Sequence, residues 1–372
     1  MVYLDYSATT PVNKEVLDTF CKVSLEFPGN PNSLHKLGIE AKKLSDAATN
    51  QIAHILNVKP EEIIYTSSSS ESNNMAIKGI ALRNQKRGKH IITTNLEHSS
   101  IYGPISYLQT LGFEVDFVKT KNGIVDLEDL KTLLRPDTIL VTIGAVNSEV
   151  GLRQPIEEIG ELLKEYPCYF HVDATQAIGK IKIDFRNVDL ISFTAHKFYG
   201  IKGIACLVKK ESILMEPLIH GGKSTTKYRS GTPALPLIVS MAKALRLIDE
   251  ELDTNYQHAL ELNQYLKEQL KNINQIKINS NEKAIPHILN ISVMGIKPET
   301  MQHALEEYDI YISTQSACSS NNPISRSVLE ATKDEETAKH SIRISLSGIT
   351  TKEEIDQLLV ALKECLERLH IK

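Results

Sequence analysis

Between about residues 13 and 255, short apolar runs alternate with amphipathic segments, and this alternation limits the folds open to the chain. The pattern is typical of α/β proteins, in which a mostly parallel sheet carries helices on both faces. The predicted strands are residues 62–66, 90–94, 114–118, 138–143, 169–173, 190–194 and 204–208, and the predicted helices include residues 40–56, 72–84 and 155–166. We therefore expect a large α/β domain over residues 13–255.

A second pattern follows the large domain. Apolar residues spaced by three, four or seven predict one long helix over residues 237–273. After it, strand character and helix character are less regularly interleaved, which predicts a smaller α+β domain over residues 256–372. The predicted strands there are residues 277–279, 287–293, 309–312 and 341–346, and the predicted helices are residues 298–307 and 352–370.

Two polar residues follow apolar strands of the large domain. Lys197 ends the run VDLISFTAHK, and Asp173 ends the run CYFHVD. A lysine at the end of a buried strand can lose its charge by desolvation and become a nucleophile toward aldehydes. A carboxylate can keep the pyridinium nitrogen of pyridoxal phosphate (PLP) protonated. Because ligands of such sheets bind at the carboxyl ends of the strands, this pair predicts a PLP site with Lys197 in a Schiff base.

Short motifs along nearly the whole chain occur in the order of one known family. They are YLDYSATTPV (3–12), GNPNSLH (29–35), TSSSSESNN (66–74), Glu97-His98, HVDATQ (171–176), His196-Lys197, RSGT (229–232), SACS (316–319) and SIRIS (341–345). By these motifs the chain resembles the NifS/IscS-type cysteine desulfurases of the class V aminotransferase group. The resemblance implies the PLP-dependent transferase fold of type I, with residues 1–12 joining residues 256–372 in the small domain.

The resemblance also implies a role for each residue at a motif position. Lys197 would carry PLP and take the Cα proton of the substrate, while His98 would stack on the cofactor ring and help to move protons. The remaining cofactor contacts implied are Asp173 at the pyridinium nitrogen, Gln176 at the phenolic oxygen, and Ser69, Ser70, Thr194 and His196 at the phosphate. Thr232 would reach the phosphate of the neighbouring subunit, which implies a homodimer.

Arg343 lies inside the strand-like segment SIRIS. An interior arginine is costly to bury without an anion, and its guanidinium suits a carboxylate in bidentate geometry. With the resemblance, this predicts that Arg343 binds the α-carboxylate of an amino acid; an internal salt bridge is the alternative. Asn147 is assigned to the substrate as well, although Ser148 replaces the second asparagine of the family's pair.

Cys318 decides the expected reaction. It lies among small polar residues, in a loop composition that leaves a thiol accessible and able to ionise. In the desulfurases the matching cysteine attacks the sulfur of bound L-cysteine, which leaves L-alanine and a persulfide. The other four cysteines, Cys21, Cys168, Cys206 and Cys365, have apolar neighbours, which predicts packing roles. The alternatives are a selenocysteine lyase, an aminotransferase, or a catalytically weak paralogue that acts as a binding partner.

Composition bounds the partners. The net charge is −4 and no basic block occurs, so direct nucleic-acid binding is not expected. Because the N-terminal sequence has no basic start and no long apolar run, we expect neither a signal peptide nor a membrane segment there. Five scattered cysteines without a CxxC pair predict a reducing cytoplasm. By resemblance, the sulfur acceptor is an iron–sulfur scaffold protein or a tRNA-thiolation enzyme. The expected lack of a long tail after the last helix favours the second.

Overall fold

The structure, a computed structural model, describes residues 1–222, 224–314 and 324–369. Its strands are β1 (Val2–Tyr3), β2 (Ile63–Thr66), β3 (His90–Thr94), β4 (Glu114–Val118), β5 (Thr120–Lys121), β6 (Ile124–Val125), β7 (Thr138–Gly144), β8 (Tyr169–Asp173), β9 (Leu190–Thr194), β10 (Ala205–Lys209), β11 (Ile276–Ile278), β12 (Ile288–Val293), β13 (Ile310–Tyr311) and β14 (Ser341–Ser345). Its helices are α1 (Lys14–Glu26), α2 (Lys36–Leu56), α3 (Ser69–Asn84), α4 (Ser99–Thr110), α5 (Leu127–Leu133), α6 (Ile156–Leu163), α7 (Leu235–Glu250), α8 (Leu252–Leu270), α9 (Pro298–Glu306), α10 (Arg326–Thr332), α11 (Glu335–Lys339) and α12 (Lys352–Leu369).

The central sheet has seven strands in the order β2-β10-β9-β8-β7-β3-β4. Strands β4, β3, β7, β8 and β9 pair in parallel, and β10 runs antiparallel to both β9 and β2. Successive side chains on a strand point to opposite faces, so Ile91 and Ile92 pack in different apolar clusters on the two sides of the sheet. The predicted α/β class with a mostly parallel, doubly covered sheet is confirmed.

A second sheet of three antiparallel strands, β11-β12-β14, packs with α8, α9 and α12 around a separate apolar cluster. Val2 and Leu4 belong to that cluster, and β1 pairs with β13. A few residues further on, the Thr10 amide donates to His196 O at 2.9 Å, so the N-terminal segment passes from the second cluster to the end of β9. The boundary between residues 255 and 256 stays a prediction.

The single long helix predicted over residues 237–273 is wrong. Helix α7 ends at Glu250 and α8 begins at Leu252, with Glu251 between them at φ −105° and ψ 3°. The two helices serve different cores, because Ile248 packs in the cluster of the large sheet whereas Leu266 packs in that of the small sheet. The apolar face of a straight helix packs against one core, whereas the break at Glu251 lets α7 and α8 pack against different cores.

The large sheet positions the functional residues at one edge. Asp173 is the last residue of β8, and Lys197 ends a 3₁₀ turn, Ala195–Lys197, that directly follows β9. Because β8 and β9 are parallel neighbours, the carboxylate and the amine emerge at the same end of the sheet. Within the described ranges, no helix combines the length and the apolarity that crossing a membrane requires.

Candidate active site

A cavity of about 280 Å³ opens at the carboxyl ends of the parallel strands. Ten of the residues that the sequence predicts to contact PLP or substrate line it: Ser69, Ser70, His98, Asn147, Asp173, Gln176, Thr194, His196, Lys197 and Arg343. They come from the ends of β3, β7, β8 and β9, the start of α3, and β14. Thr232 is not among the lining residues, and Cys318 lies outside the described ranges.

The Lys197 amine is held by the N-terminal segment. Its Nζ donates to Ser7 O and, at 2.7 Å, to Ala8 O. The neighbouring His196 places Nδ1 3.2 Å from Thr9 Oγ1, and burial, with the Lys197 charge beside it, lowers the pKa of His196 to about 4. The imidazole is therefore neutral at physiological pH. Ser7 and Ala8 thus line the cavity and orient the lysine.

Asp173 is oriented by two donors from different parts of the chain. The backbone N–H of Thr175 donates to Oδ1 at 3.0 Å, and Asn73 Nδ2 donates to Oδ2 at 2.8 Å. Asn73 Nδ2 also donates to Ser100 Oγ at 2.9 Å. Both carboxylate oxygens accept hydrogen bonds, which fixes the orientation of a carboxylate that can pair with a protonated pyridine nitrogen.

His98 is the N-cap residue of α4. The Ser100 N–H donates to His98 Nδ1 at 3.2 Å, and Ser100 Oγ lies 2.8 Å from the same nitrogen. A ring nitrogen that accepts from a backbone N–H carries no proton, so the neutral ring carries its proton on Nε2. Burial lowers the pKa of His98 from its ordinary value and so favours this neutral form.

Helix α3 begins three residues earlier than predicted, at Ser69. Ser68 caps it by accepting from the Glu71 N–H at 3.2 Å, so Ser69 and Ser70 form the first helical turn at the cavity. Unpaired N–H groups and the helix dipole favour an anion at this position. Ser69 Oγ also accepts from Thr175 Oγ1 at 2.8 Å, which links the start of α3 to the end of β8.

Arg343 makes an internal ion pair and keeps donor capacity. Its Nη2 lies 2.6 Å from Asp5 Oδ1 and its Nη1 donates to Ser148 O at 3.0 Å. The side chain is only 2% exposed, and its buried Nε makes no hydrogen bond within the described part of the chain. The salt bridge considered from the sequence is therefore present, and Nε stays an unused donor on a side chain that lines the cavity.

Asn147 lines the cavity, but its amide is already bonded within the chain. Nδ2 donates to Leu96 O and Ser327 Oγ, and Oδ1 accepts from the N–H groups of Glu149 and Val150. These bonds stabilise the turn after β7. Contact between the Asn147 side chain and substrate stays a prediction, and it requires one of these bonds to be exchanged.

Three contributors to the site were not assigned a role from the sequence. Asn73 and Ser100 link Asp173 to His98, and Lys180 donates to Gln176 Oε1 at 3.0 Å. For Lys180 the sequence does carry a signal, since it follows Gln176 by four residues in a helical turn. For Asn73 no local signal exists, because its partner is one hundred residues away.

The predicted packing role is wrong for one cysteine. Cys206 and Cys365 are buried and burial raises the pKa of each, and burial raises the pKa of the partly buried Cys168 to about 11. Cys21, by contrast, is exposed on α1. Its apolar neighbours in sequence lie on other sides of the helix, so the composition around it did not determine its burial.

The donors present fit PLP. An amine, a carboxylate and the N-terminus of a helix meet in one cavity, as an aldehyde, a pyridine nitrogen and a phosphate require. The buried hydroxyl of Ser7, which also lines the cavity, makes no hydrogen bond within the described ranges. The site is thus supplied with polar groups that a bound molecule can satisfy.

Comparison with known proteins agrees with this geometry. A family model described as aminotransferase class-V matches residues 2–358. The curated protein named cysteine desulfurase IscS from Dictyoglomus turgidum is 40% identical over 374 residues, covering 99% of this chain and 95% of the relative. A solved structure titled NifS-like protein matches with a TM-score of 0.94 at 37% identity, covering 99% of this chain and 100% of that one. Another, titled SspA in complex with cysteine, has a TM-score of 0.83 at 31% identity and covers 94% of this chain and 100% of that one.

The family model and the relatives extend over nearly the whole chain, and the cavity holds the groups that PLP needs. The chain therefore belongs to the class-V aminotransferase family of PLP-dependent enzymes, in the group of the IscS- and NifS-type cysteine desulfurases.

Proposed function

We propose that this protein is a PLP-dependent cysteine desulfurase that converts L-cysteine to L-alanine and leaves the sulfur as a persulfide on Cys318. The observation that carries the proposal is the meeting of Lys197, Asp173, Gln176 and Arg343 in one cavity of a chain with full-length desulfurase relatives. The relative whose structure is titled as a complex with cysteine supports the choice of substrate.

The cofactor contacts follow the sides of the cavity. Asp173 would pair with the pyridinium nitrogen of bound PLP, and Gln176 would donate to its phenolic oxygen. The first turn of α3, with Ser69 and Ser70, binds the phosphate together with Thr194 and His196. When bound, PLP supplies an electron sink that makes the Cα proton of an amino acid easier to remove.

Each remaining side chain acts on the substrate. Arg343 binds the α-carboxylate through its unused donor capacity, assisted by Asn147. Lys197 Nζ takes the Cα proton, and the Nε2–H of the neutral His98 donates a hydrogen bond to atoms that gain negative charge. The Cys318 thiolate then attacks the substrate sulfur, so that an S–S bond forms as the Cβ–S bond breaks. Cβ receives the electron pair of the broken bond and a proton, and Lys197 returns a proton to Cα, which gives alanine.

The active unit in this proposal is a homodimer. Thr232 is exposed and lies in a separate cleft with Thr66 and Arg229, so its predicted contact with a phosphate requires a second subunit. Large apolar side chains between residues 12 and 39 are exposed in one chain, including Leu17 at 46% and Leu34 at 93%. Burying them against a second copy would remove this surface from water.

The persulfide requires an acceptor. We propose a sulfur-acceptor protein of the cytoplasm, either an iron–sulfur scaffold or a tRNA-thiolation enzyme. The scattered, unpaired cysteines of the sequence support a reducing compartment.

Replacement of Cys318 by serine tests the reaction. Because a serine hydroxyl is far less acidic and does not attack sulfur, Cys318→Ser should make almost no alanine from L-cysteine. It should still change its visible absorption on addition of L-cysteine, since cofactor and substrate contacts remain. Alkylation and peptide mapping of the parental protein should find the persulfide on Cys318.

Cys21→Ser is the matched control, because Cys21 is the exposed thiol on α1. This variant should retain alanine production and the persulfide. Equal alanine output from Cys318→Ser and the parental protein would contradict the proposal and indicate a lyase without a cysteine nucleophile. The lack of any spectral response to L-cysteine in both proteins would instead indicate a non-catalytic paralogue.

A further inference from the structure

Lys180 carries a buried amine that the proposed chemistry does not use. It is 6% exposed, and its one hydrogen bond within the described ranges runs from Nζ to Gln176 Oε1 at 3.0 Å, without a carboxylate partner. Burying a charge without a counter-ion costs several kcal/mol, so an apolar side chain of the same length would serve folding better. The position of Lys180 therefore calls for an explanation in the site.

The explanation lies in the orientation of the Gln176 amide. A lysine ammonium can only donate and a carbonyl oxygen can only accept. Ser7 O faces one end of the amide, which must therefore be Nε2, and the other end, Oε1, accepts from Lys180 Nζ. Gln176 Nε2 donates to Ser7 O at 2.9 Å with one hydrogen, which leaves its second hydrogen for another acceptor.

We propose that Lys180 is a positioning residue of the cofactor site, which locks the Gln176 amide with its N–H donor toward the phenolic oxygen of PLP. Without Lys180, Oε1 loses its donor and Ser7 O alone holds the amide, so the second N–H of Nε2 is held less firmly toward the phenolic oxygen. This inference rests on the proposed PLP site, and it assigns to Lys180 a role that acts through Gln176 alone.

Lys180 interacts electrostatically with several charged and titratable groups, and the test has to take these interactions into account. Burial, and after it the charges of Lys197 and Arg343, lowers the pKa of Lys180 to about 7. Lys180 in turn contributes to the lowered pKa values of His196 and His287. A through-space effect of its charge on Lys197 must therefore be separated from an effect through Gln176.

The visible absorption of the bound cofactor, titrated with pH, provides the readout. A hydrogen bond from Gln176 stabilises the ionised phenolic oxygen, so the Lys197 nitrogen linked to the cofactor loses its proton at lower pH. Lys180→Met should raise the midpoint of the absorption change by about half to one pH unit, the equivalent of one lost hydrogen bond. Lys180→Arg, which keeps charge and donors, should restore the parental midpoint. The matched control Lys202→Met removes an exposed charge near His196 and should leave the midpoint unchanged.

Lys180→Met in a Gln176→Leu background shows whether Lys180 acts through the Gln176 amide or directly through its charge on Lys197. If Lys180 acts through the amide, Lys180→Met should cause no further shift there. An equal shift in both backgrounds, or no shift in either, would overturn the proposal. If Lys180→Met does not fold, Lys180→Gln replaces it. This variant keeps an uncharged donor, so its midpoint should stay close to the parental value. A shift in Lys180→Gln as large as the one expected for Lys180→Met would contradict the role in orientation. Parental protein without PLP would refute the proposed function instead.

Discussion

Asn73 Nδ2 lies 2.8 Å from Asp173 Oδ2, so a residue of the first helix after β2 fixes a carboxylate one hundred positions later in the chain. The same amide nitrogen contacts Ser100 Oγ, which lies against His98 Nδ1. The proposed ring-nitrogen partner and the proposed proton carrier thus share one hydrogen-bond chain. Because the members support each other, a change in one should be felt at the others.

Asn73→Ala should slow catalysis without releasing the cofactor. Asp173 would keep only its bond from the Thr175 N–H, and loss of a bond to a charged group corresponds to a decrease of about ten- to one hundredfold. Cα-proton exchange of bound L-cysteine, followed by NMR in deuterated water, measures the effect. Asn84→Ala, which removes an amide at the other end of α3, should exchange at the parental rate. If Asn73→Ala exchanged the Cα proton at the parental rate, the hydrogen bond from the Thr175 N–H would be enough to hold Asp173 in place.

Lys197→Ala should lose the covalent attachment of PLP. Lysine is the residue type that forms an imine with the cofactor aldehyde, and Lys197 ends the turn after β9 beside Asp173. Borohydride reduction of parental protein and peptide mapping should place the pyridoxyl group on Lys197. A label on the buried Lys180 or the exposed Lys202 would assign the cofactor to a different amine.

Arg343→Lys should weaken substrate binding more than cofactor binding. A lysine has no planar fork for a carboxylate and cannot reproduce the contacts with Asp5 and Ser148 together. We expect the KM for L-cysteine to rise by about ten- to one hundredfold, as for loss of charge-assisted hydrogen bonds, while the absorption of bound PLP stays parental. Arg153→Lys, at the ion pair with Glu157, is the control and should keep the parental KM. An unchanged KM in Arg343→Lys would place the carboxylate elsewhere.

Glu97 should make stability depend on pH. Burial raises its pKa from about 4.5 to about 8, while Thr94 Oγ1 and the Gly144 N–H contact its two oxygens. The folded protein therefore holds a proton that the unfolded chain releases above pH 4.5, and this stabilisation is full below pH 4.5 and lost as the pH rises to 8.

Glu97→Gln should remove that dependence, because an amide can accept from Gly144 and donate to Thr94 without ionising. Relative to the parental protein, the variant should gain thermal stability at about pH 8 and gain none at about pH 4, as proton linkage requires. Melting curves at both pH values measure the difference. The same difference in melting temperature at both would show that Glu97 is ionised in the folded protein.

Much of the site could be predicted because it depends on local sequence. The apolar run before Asp173 and that before Lys197 predict buried strands, and parallel neighbours deliver their last residues to one edge. The serine-rich segment before α3 predicts a helix N-terminus on the same grounds, although the helix begins earlier than predicted, at Ser69. The order of the motifs predicts the family to which the chain belongs, and the comparisons with known proteins confirm that prediction.

By itself, therefore, the sequence determined which chemical groups stand at the ends of which strands, since strand and helix patterns repeat over a few residues. The tertiary structure decided which distant groups meet. It paired Asp5 with Arg343 and Asn73 with Asp173 in a buried site, exposed Cys21, and broke the long helix at Glu251. Hydrogen bonds and ion pairs depend on separations of a few ångströms between side chains, and only packing of the whole chain sets those separations.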